Sequence, residues 1–242
     1  MLLTLNSKLK NKNEVAKIRY NRGAFMPFAV DEVYHLLMDE YGPVTWTPRY
    51  DGVSELVACI LSQHTSDLNS ERAFGELVFN YPTWEMVLEA PLDDIIATIT
   101  RGGLAKQKAP RIREVLRRIF ELRGEFNIDF LKEMPLEEAK NWLKELPGVG
   151  PKTAAIVLSF AMGMPAFPVD THIHRVAKRL GFIKLNVNAD HAHDLLEASV
   201  SPEKTFPFHV YLINHGRHVC KAQRPLCANC ILSHRCPKSG LD

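Results

Sequence analysis

Four of the chain's five cysteines, Cys220, Cys227, Cys230 and Cys236, fall in the final 23 residues in the order C-x6-C-x2-C-x5-C. Thiols this close in sequence can converge on one metal centre without help from the rest of the fold. Two disulfides would use the same residues. However, Cys59 is left over, no secretory leader opens the chain, and 242 residues can bury a core without covalent staples. Structural zinc sites usually draw their ligands as two short-spaced pairs, whereas here one C-x2-C pair is flanked by single cysteines at longer spacings. A cubane iron–sulfur cluster, with an iron at each corner, suits thiolates spread around a loop. Spacing alone favours the cluster and leaves zinc open.

A second constellation is Leu146-Pro147-Gly148-Val149-Gly150-Pro151-Lys152-Thr153-Ala154. A helix is expected to end at Leu146, two glycines one residue apart allow a tight hairpin with positive φ, and Pro151 suits the first turn of the next helix. Backbone N–H groups at that helix N-terminus can hold an anion, which for a chain-tracking protein is a DNA phosphate. A plain helix–turn–helix corner uses glycine and proline equally well. Lys152 falls in the first helical turn, where the dipole disfavours a cation, so solubility does not explain its position. Eighteen residues further lies Asp170, within Val169-Asp170-Thr171-His172-Ile173 and ahead of the helical pattern Ile173, Val176, Ala177, Leu180. By itself it reads as an N-cap.

Helices must position these groups, because the periodicity is helical nearly everywhere. Val53, Leu56, Val57, Ile60 and Leu61 follow i, i+3, i+4, i+7, i+8, and the same rule puts Ile112, Val115, Leu116, Ile119 and Phe120 on one face. Further helices are expected at Asp31–Tyr41, Glu71–Phe79, Thr83–Leu88, Leu92–Ile99, Glu137–Leu146 and Ala189–Ser199, with Asp31 and Thr83 as N-caps and Pro91 in a first turn. No segment sustains a strand-type alternation, so the fold class is all-α. Hydrophobic residues make up 46% and charged residues 24%, ordinary proportions for a soluble globular protein. The most apolar stretch, Ala154 to Val169, is broken by Gly163, Pro165 and Pro168, so it is too short for a bilayer and reads as a buried helix and turn.

With 30 basic and 28 acidic side chains the net charge is only +2, so bulk charge does not argue for nucleic-acid binding. Its distribution is more suggestive. Arg101 to Arg123 holds eight basic residues against Glu114 and Glu121, a run whose ordinary reading is a solvated helix face. Lys8 to Arg22 holds six against Glu14 alone, which suits either a flexible leader or a DNA-touching arm.

Four stretches, LPGVGPKTA from Leu146, VDTHIHRVAKRL from Val169, ILSQHTSD from Ile60 and HGRHVCKAQRPLCANCILSHRC from His215, together resemble the endonuclease III branch of the helix-hairpin-helix DNA glycosylases. The resemblance implies a two-lobed fold: a six-helix barrel lobe at 45–163 containing the hairpin, an iron–sulfur lobe built from 26–44 and 164–242, and a basic extension at 1–25. It implies Lys152 as nucleophile, Asp170 as the essential carboxylate, Cys220, Cys227, Cys230 and Cys236 as [4Fe–4S] ligands, and Gly148, Val149 and Gly150 as the phosphate-gripping hairpin. Leu104 takes the place of an apolar wedge near the orphaned base. Lys221 and Arg224, presented by the cysteine loop, would meet the phosphate backbone. Where the family commonly has a glutamine filling the space left by the flipped nucleotide, this chain has His64 with Gln63 beside it. His64 also extends the apolar stripe of its helix, which is the pattern of a core histidine.

The implied function is base excision repair on double-stranded DNA carrying a damaged base or abasic site, by a monomer with no membrane association. The implied location is cytoplasmic and nucleoid-associated in a prokaryote, nuclear or mitochondrial in a eukaryote. A base inside a duplex is unreachable and must be extruded, at a cost of a few kcal/mol that is least for damaged pairs. A carboxylate can then stabilise the cationic sugar, and a lysine amine can take its anomeric carbon and hold it as an imine. Bringing a lysine amine to neutrality near pH 7 costs about 4 kcal/mol, and a helix dipole supplies at most about 2. Desolvation by the pocket and bound DNA must do the rest. The sequence keeps three rivals: a uracil, mismatched-thymine or adenine glycosylase of the same superfamily, a non-catalytic DNA-binding protein with a structural metal site, and an electron-transfer protein.

Overall fold

The computed structural model describes residues 28–241, and every regular element among them is helical. The basic stretch Lys8–Arg22, and with it the expected extension at 1–25, lies outside the described residues. Helix α1 spans Val30–Tyr41 and starts from Ala29, so Asp31 is not its N-cap. Asp31 lies instead in the first turn beside Glu32, where the positive end of the dipole favours a carboxylate.

Helix α2 (Gly52–Ser62) is capped by Asp51, whose Oδ1 accepts from the amides of Val53 and Ser54 at 3.0 Å. The five residues of its expected apolar face are all 1% exposed or less. Helices α3 (Asp67–Asn80) and α4 (Trp84–Glu89) are capped by the hydroxyls of Ser66 and Thr83. Helix α5 (Leu92–Thr98) takes Pro91 as its N-cap, one place before the expected first turn. Helix α6 (Ala105–Arg123) buries Ile112, Val115, Leu116 and Ile119. Phe120, expected on the same face, is 45% exposed and stacks on Phe126 with centroids 5.4 Å apart. Eight residues beyond Ile112 it stands about 80° off the stripe, at its edge, and Leu61 at the same offset on α2 is fully buried, so neighbouring packing decides such edge positions.

Helix α7 (Leu136–Lys144) stops two residues short of Leu146, which joins the turn. Helix α8 (Pro151–Ile156) runs directly into a π-helical turn at Val157–Ala161, where the Trp46 indole donates to the Ser159 carbonyl at 2.8 Å. Gly163, at φ 67°, then releases the chain into the segment 164–170, which has no regular structure. Helices α9 (Thr171–Leu180), α10 (Ala189–Glu197) and α11 (Thr205–His218) complete the chain ahead of the cysteine loop. No helix among the described residues is long and apolar enough to cross a membrane.

Two separate cores result. One gathers the apolar faces of α2 to α8. The other joins Phe28, Val33 and Leu37 from the start of the described chain to residues between Phe167 and Leu232 at its end. The hairpin before α8 belongs to the first core and the α9 N-terminus to the second, so the two groups singled out in the sequence approach from different lobes.

Candidate active site

Lys152 is the second residue of α8 and is exposed. The preceding turn is made by Gly148 at φ 72°, where an added Cβ would lie 2.9 Å from the Arg111 side chain. The positive φ favours glycine there, and any side chain would also have to displace Arg111. Gly150 is different: its φ of −97° suits any residue and the space around it is open, so one glycine makes the turn and not two. Val149 is 6% exposed with its side chain in the first core, which leaves only its backbone for an outside partner.

Asp170 is the N-cap of α9, with Oδ1 accepting from the Ile173 amide at 2.7 Å. Oδ2 has no hydrogen-bond partner among the described residues, so capping and chemistry can use different oxygens of one carboxylate. The irregular segment leading to it is pinned by residues of other elements. The Phe167 amide donates to Glu197 Oε2 at 3.0 Å, and His209 Nδ1 lies 2.9 Å from the Pro168 carbonyl. Burial pushes the His209 pKa down to about 4, so the ring is neutral and its Nδ1–H donates to Pro168. His193 Nδ1 is within reach of both the Phe167 carbonyl, at 3.0 Å, and the Val169 amide, at 3.2 Å, and each tautomer serves one of them.

Lys152 and Asp170 line one cavity of about 320 Å³ between the lobes. The barrel side adds Arg49, Tyr50, Cys59, Phe74 and Phe160, and the other lobe adds His209, Asn214 and Arg217. Arg217 and Asp67 pair across the cavity at 2.9 Å. Cys59, merely left over in the sequence, has its thiol pushed above the ordinary range by burial, with Glu55 also raising it from 3.7 Å away. Glu55 itself is wholly buried and paired with Arg49. Sequence periodicity misses this pair, since a carboxylate between apolar helix positions reads as solvent-facing.

A second group lies at the end of α2 and the start of α6. His64 is exposed at φ 53°, beyond the last residue of α2, so it is not the core histidine that its periodicity suggests: the helix ends before its stripe reaches it. Gln63 is engaged, accepting from Arg111 Nη1 at 2.7 Å. Leu104 is 45% exposed at φ 53° and begins α6. Two non-glycine residues in the left-handed region, both presented outward, mark loops that the fold holds against local preference. Lys108 supplies the hold: its buried ammonium donates to the Leu61 carbonyl at 2.7 Å and the Gly102 carbonyl at 2.8 Å, fastening both loops at once. The basic run is therefore not simply a solvated face. Lys108 is buried, while Arg111 and Arg113 hydrogen-bond Gln63 and the Leu88 carbonyl.

The four C-terminal cysteines form no disulfide among the described residues and surround one small cavity that Arg179 and His215 also line. Burial, reinforced by the neighbouring thiols, pushes Cys230 up to about 11, and burial raises Cys236. Among the described residues no three metal-ligating side chains are grouped for a single ion. A polynuclear centre asks only that the thiolates surround a common space, which these four do. Arg179 fixes the loop by donating to the carbonyls of Cys220, Lys221 and Ala222 at 3.3, 2.6 and 3.1 Å. Lys221 and Arg224 are exposed on it, Arg224 at φ 49°.

Residues 57–202 match the profile of the HhH-GPD superfamily of base excision DNA repair proteins. Endonuclease III of Thermotoga maritima is 36% identical over 181 residues, spanning 75% of this chain and 80% of the relative. A putative DNA glycosylase of Arabidopsis thaliana is 35% identical over 184 residues, 76% of this chain but only 60% of that relative's length. Among solved structures, a trapped endonuclease III–DNA covalent intermediate superimposes with a TM-score of 0.74 at 29% identity, over 88% of this chain and 97% of that one. A thermostable thymine-DNA glycosylase shares the fold at a TM-score of 0.70 and 23% identity, over 84% of this chain and 93% of that one.

Proposed function

This chain belongs to the endonuclease III branch of the HhH-GPD superfamily of base excision DNA repair proteins, a DNA glycosylase/lyase, and we propose that it removes oxidised pyrimidines and nicks the abasic site through Lys152. The observation that carries this reading is a lysine and a carboxylate from different lobes opening into one cavity large enough for a nucleoside. The enzyme relatives disfavour a non-catalytic DNA-binding role.

The extruded nucleotide enters the cavity with its sugar between Lys152 and Asp170. As the glycosidic bond lengthens, positive charge grows on the sugar and Asp170 Oδ2 stabilises it. The Lys152 amine forms a bond to the anomeric carbon as the base leaves with the bonding electron pair and takes up a proton. Ring opening moves the C1′–O4′ pair onto O4′ and gives a protonated imine between Lys152 and C1′. Loss of a C2′ proton then expels the 3′ phosphate, and water later frees the lysine. His64 fills the vacated space in the duplex, Leu104 wedges beside it, and the Gly148–Gly150 hairpin amides, Lys221 and Arg224 grip the backbone.

The four cysteines would hold a [4Fe–4S] cluster, whose contribution is to tie the loop that presents Lys221 and Arg224. That one chain supplies both walls of the cavity supports action as a monomer, in whichever compartment holds the DNA. Borohydride reduction during incubation with a duplex bearing 5-hydroxyuracil or an abasic site tests the reading. A covalent protein–DNA adduct is expected with the parent and none with Lys152→Gln. Absence of an adduct with the parent on both duplexes would overturn it.

A further inference from the structure

We infer that Arg49 is the residue that reads the extruded base, donating its free guanidinium N–H groups to the carbonyl oxygens of an oxidised pyrimidine. This rests on the reading that the cavity between the lobes receives that base.

Glu55 is 0% exposed on α2, and an isolated carboxylate in that position would be very costly. Among the described residues Arg49 is the cation that meets its charge, through Nε to Oε2 at 3.0 Å and Nη2 to Oε1, with the Cys59 thiol also 3.7 Å from Oε1. A paired fork of this kind fixes the plane of the guanidinium as well as its place. The Tyr50 ring lies 5.3 Å and the Phe160 ring 5.5 Å from the Arg49 guanidinium carbon, so two aromatic rings also help to hold it in place.

A pair that served stability alone would be a poor choice here. Apolar residues of similar volume often do as well or better than a buried ion pair, and α2 is otherwise apolar on its buried face. The Arg49 side chain is also only half covered, being 49% exposed, and it lines the cavity shared with Lys152 and Asp170. Two of the five guanidinium N–H groups are used by Glu55; the remaining three have no partner among the described residues. Burying Glu55 thus delivers an oriented, donor-only group into the reaction cavity.

The surroundings select a base over a phosphate. Tyr50, Ala58, Phe74, Ile156 and Phe160 make the adjoining wall, which suits a flat ring. An oxidised pyrimidine presents acceptor oxygens at its ring carbonyls, and a guanidinium can only donate. The same oxygens gather negative charge as the base departs with the glycosidic electron pair, so Arg49 binds the base more strongly in the transition state than before it.

The test compares two single-turnover rates in one preparation: release of 5-hydroxyuracil from a duplex, and nicking of a preformed abasic site, which has no base to read. Arg49→Met should lower the ratio of the first rate to the second by about 100-fold, at the lower end of the range for losing a donor to developing negative charge. Arg49→Lys should recover only part of that ratio, because an ammonium cannot fork onto Glu55. The double variant Arg49→Met with Glu55→Leu leaves no unpaired carboxylate and should give the same lowered ratio with the melting temperature preserved. An equal fall in both rates would mean that Arg49 holds the backbone or the fold, and an unchanged ratio would mean an idle ion pair; either overturns the inference. Failure of the parent to form a borohydride adduct would instead count against the lysine mechanism, independently of Arg49.

Discussion

The two lobes are built on different physical terms. The barrel core is assembled from consecutive helices and is almost wholly aliphatic, with Leu56, Ile60, Leu77, Ile95, Ile112 and Leu116 fully buried. The other core is closed by joining distant ends of the chain, and its large members are Phe167, Phe208 and Tyr211. It also buries His193, His209 and His215, each a polar ring that needs a partner. One lobe holds by burial of regular apolar stripes; the other depends on particular hydrogen bonds and on whatever ties its thiols. The proposed reactive pair straddles this divide, with Lys152 on the self-sufficient lobe and Asp170 on the pinned one. Chemistry at Lys152 should therefore be separable from stability, and chemistry at Asp170 only partly so.

The sharpest way to break the contrast is at Lys152. Lys152→Gln should lower abasic-site nicking by about 10³-fold or more while leaving the melting temperature unchanged, because the side chain is exposed. A change in melting temperature of many degrees would show that the barrel side is not independent of its nucleophile. Asp170 sharpens the comparison through its two oxygens. Asn caps helices about as well as Asp, so Asp170→Asn should cost base excision about 10²-fold or more with stability kept, whereas Asp170→Ala should lose activity and also about 1 kcal/mol of stability.

Cys230→Ser should strip iron from the purified protein. Hydrogen exchange should then quicken at α11 and the cysteine loop while α2 and α6 keep their protection; uniform loss across both lobes would deny them separate cores. A smaller effect is expected from pH. His209 titrates at about 4 when folded and near 6.5 when unfolded, so the unfolded chain takes up the proton first as pH falls. Stability is full above about 6.5 and declines down to about 4, by roughly 3 kcal/mol for this one ring. His209→Asn, which keeps an N–H for Pro168, should flatten that slope in denaturant titrations at a series of pH values. The smallest effect belongs to the exposed Arg217–Asp67 pair. Arg217→Gln should change stability by under about 1 kcal/mol, and a larger loss would mean that the lobes are held together by this contact.

How much was legible in the sequence follows the same divide. The apolar stripes of α2 and α6 were readable because burial repeats with the helical period, and the stripe of α6 failed only at Phe120, an edge position where neighbouring elements decide burial. A core histidine stayed open at His64 beside the DNA-facing reading for a related reason: periodicity does not tell where a helix stops. Lys108, Arg111 and the Arg49–Glu55 pair escaped notice because their partners are carbonyls and side chains brought near by folding, and a charged residue within a basic run looks like solvent-facing charge.

The sequence by itself determined an all-helical chain, a hairpin poised before a lysine, an aspartate ahead of a later helix and a set of clustered thiols, since each is a matter of local spacing. Only the tertiary structure decided that the lysine and the aspartate share a cavity, that a second cation is clamped beside them, and that one buried lysine fastens the loops of His64 and Leu104. Those facts depend on groups distant along the chain meeting in a low-dielectric interior, where a partner's position, and not residue type, sets what each charge can do.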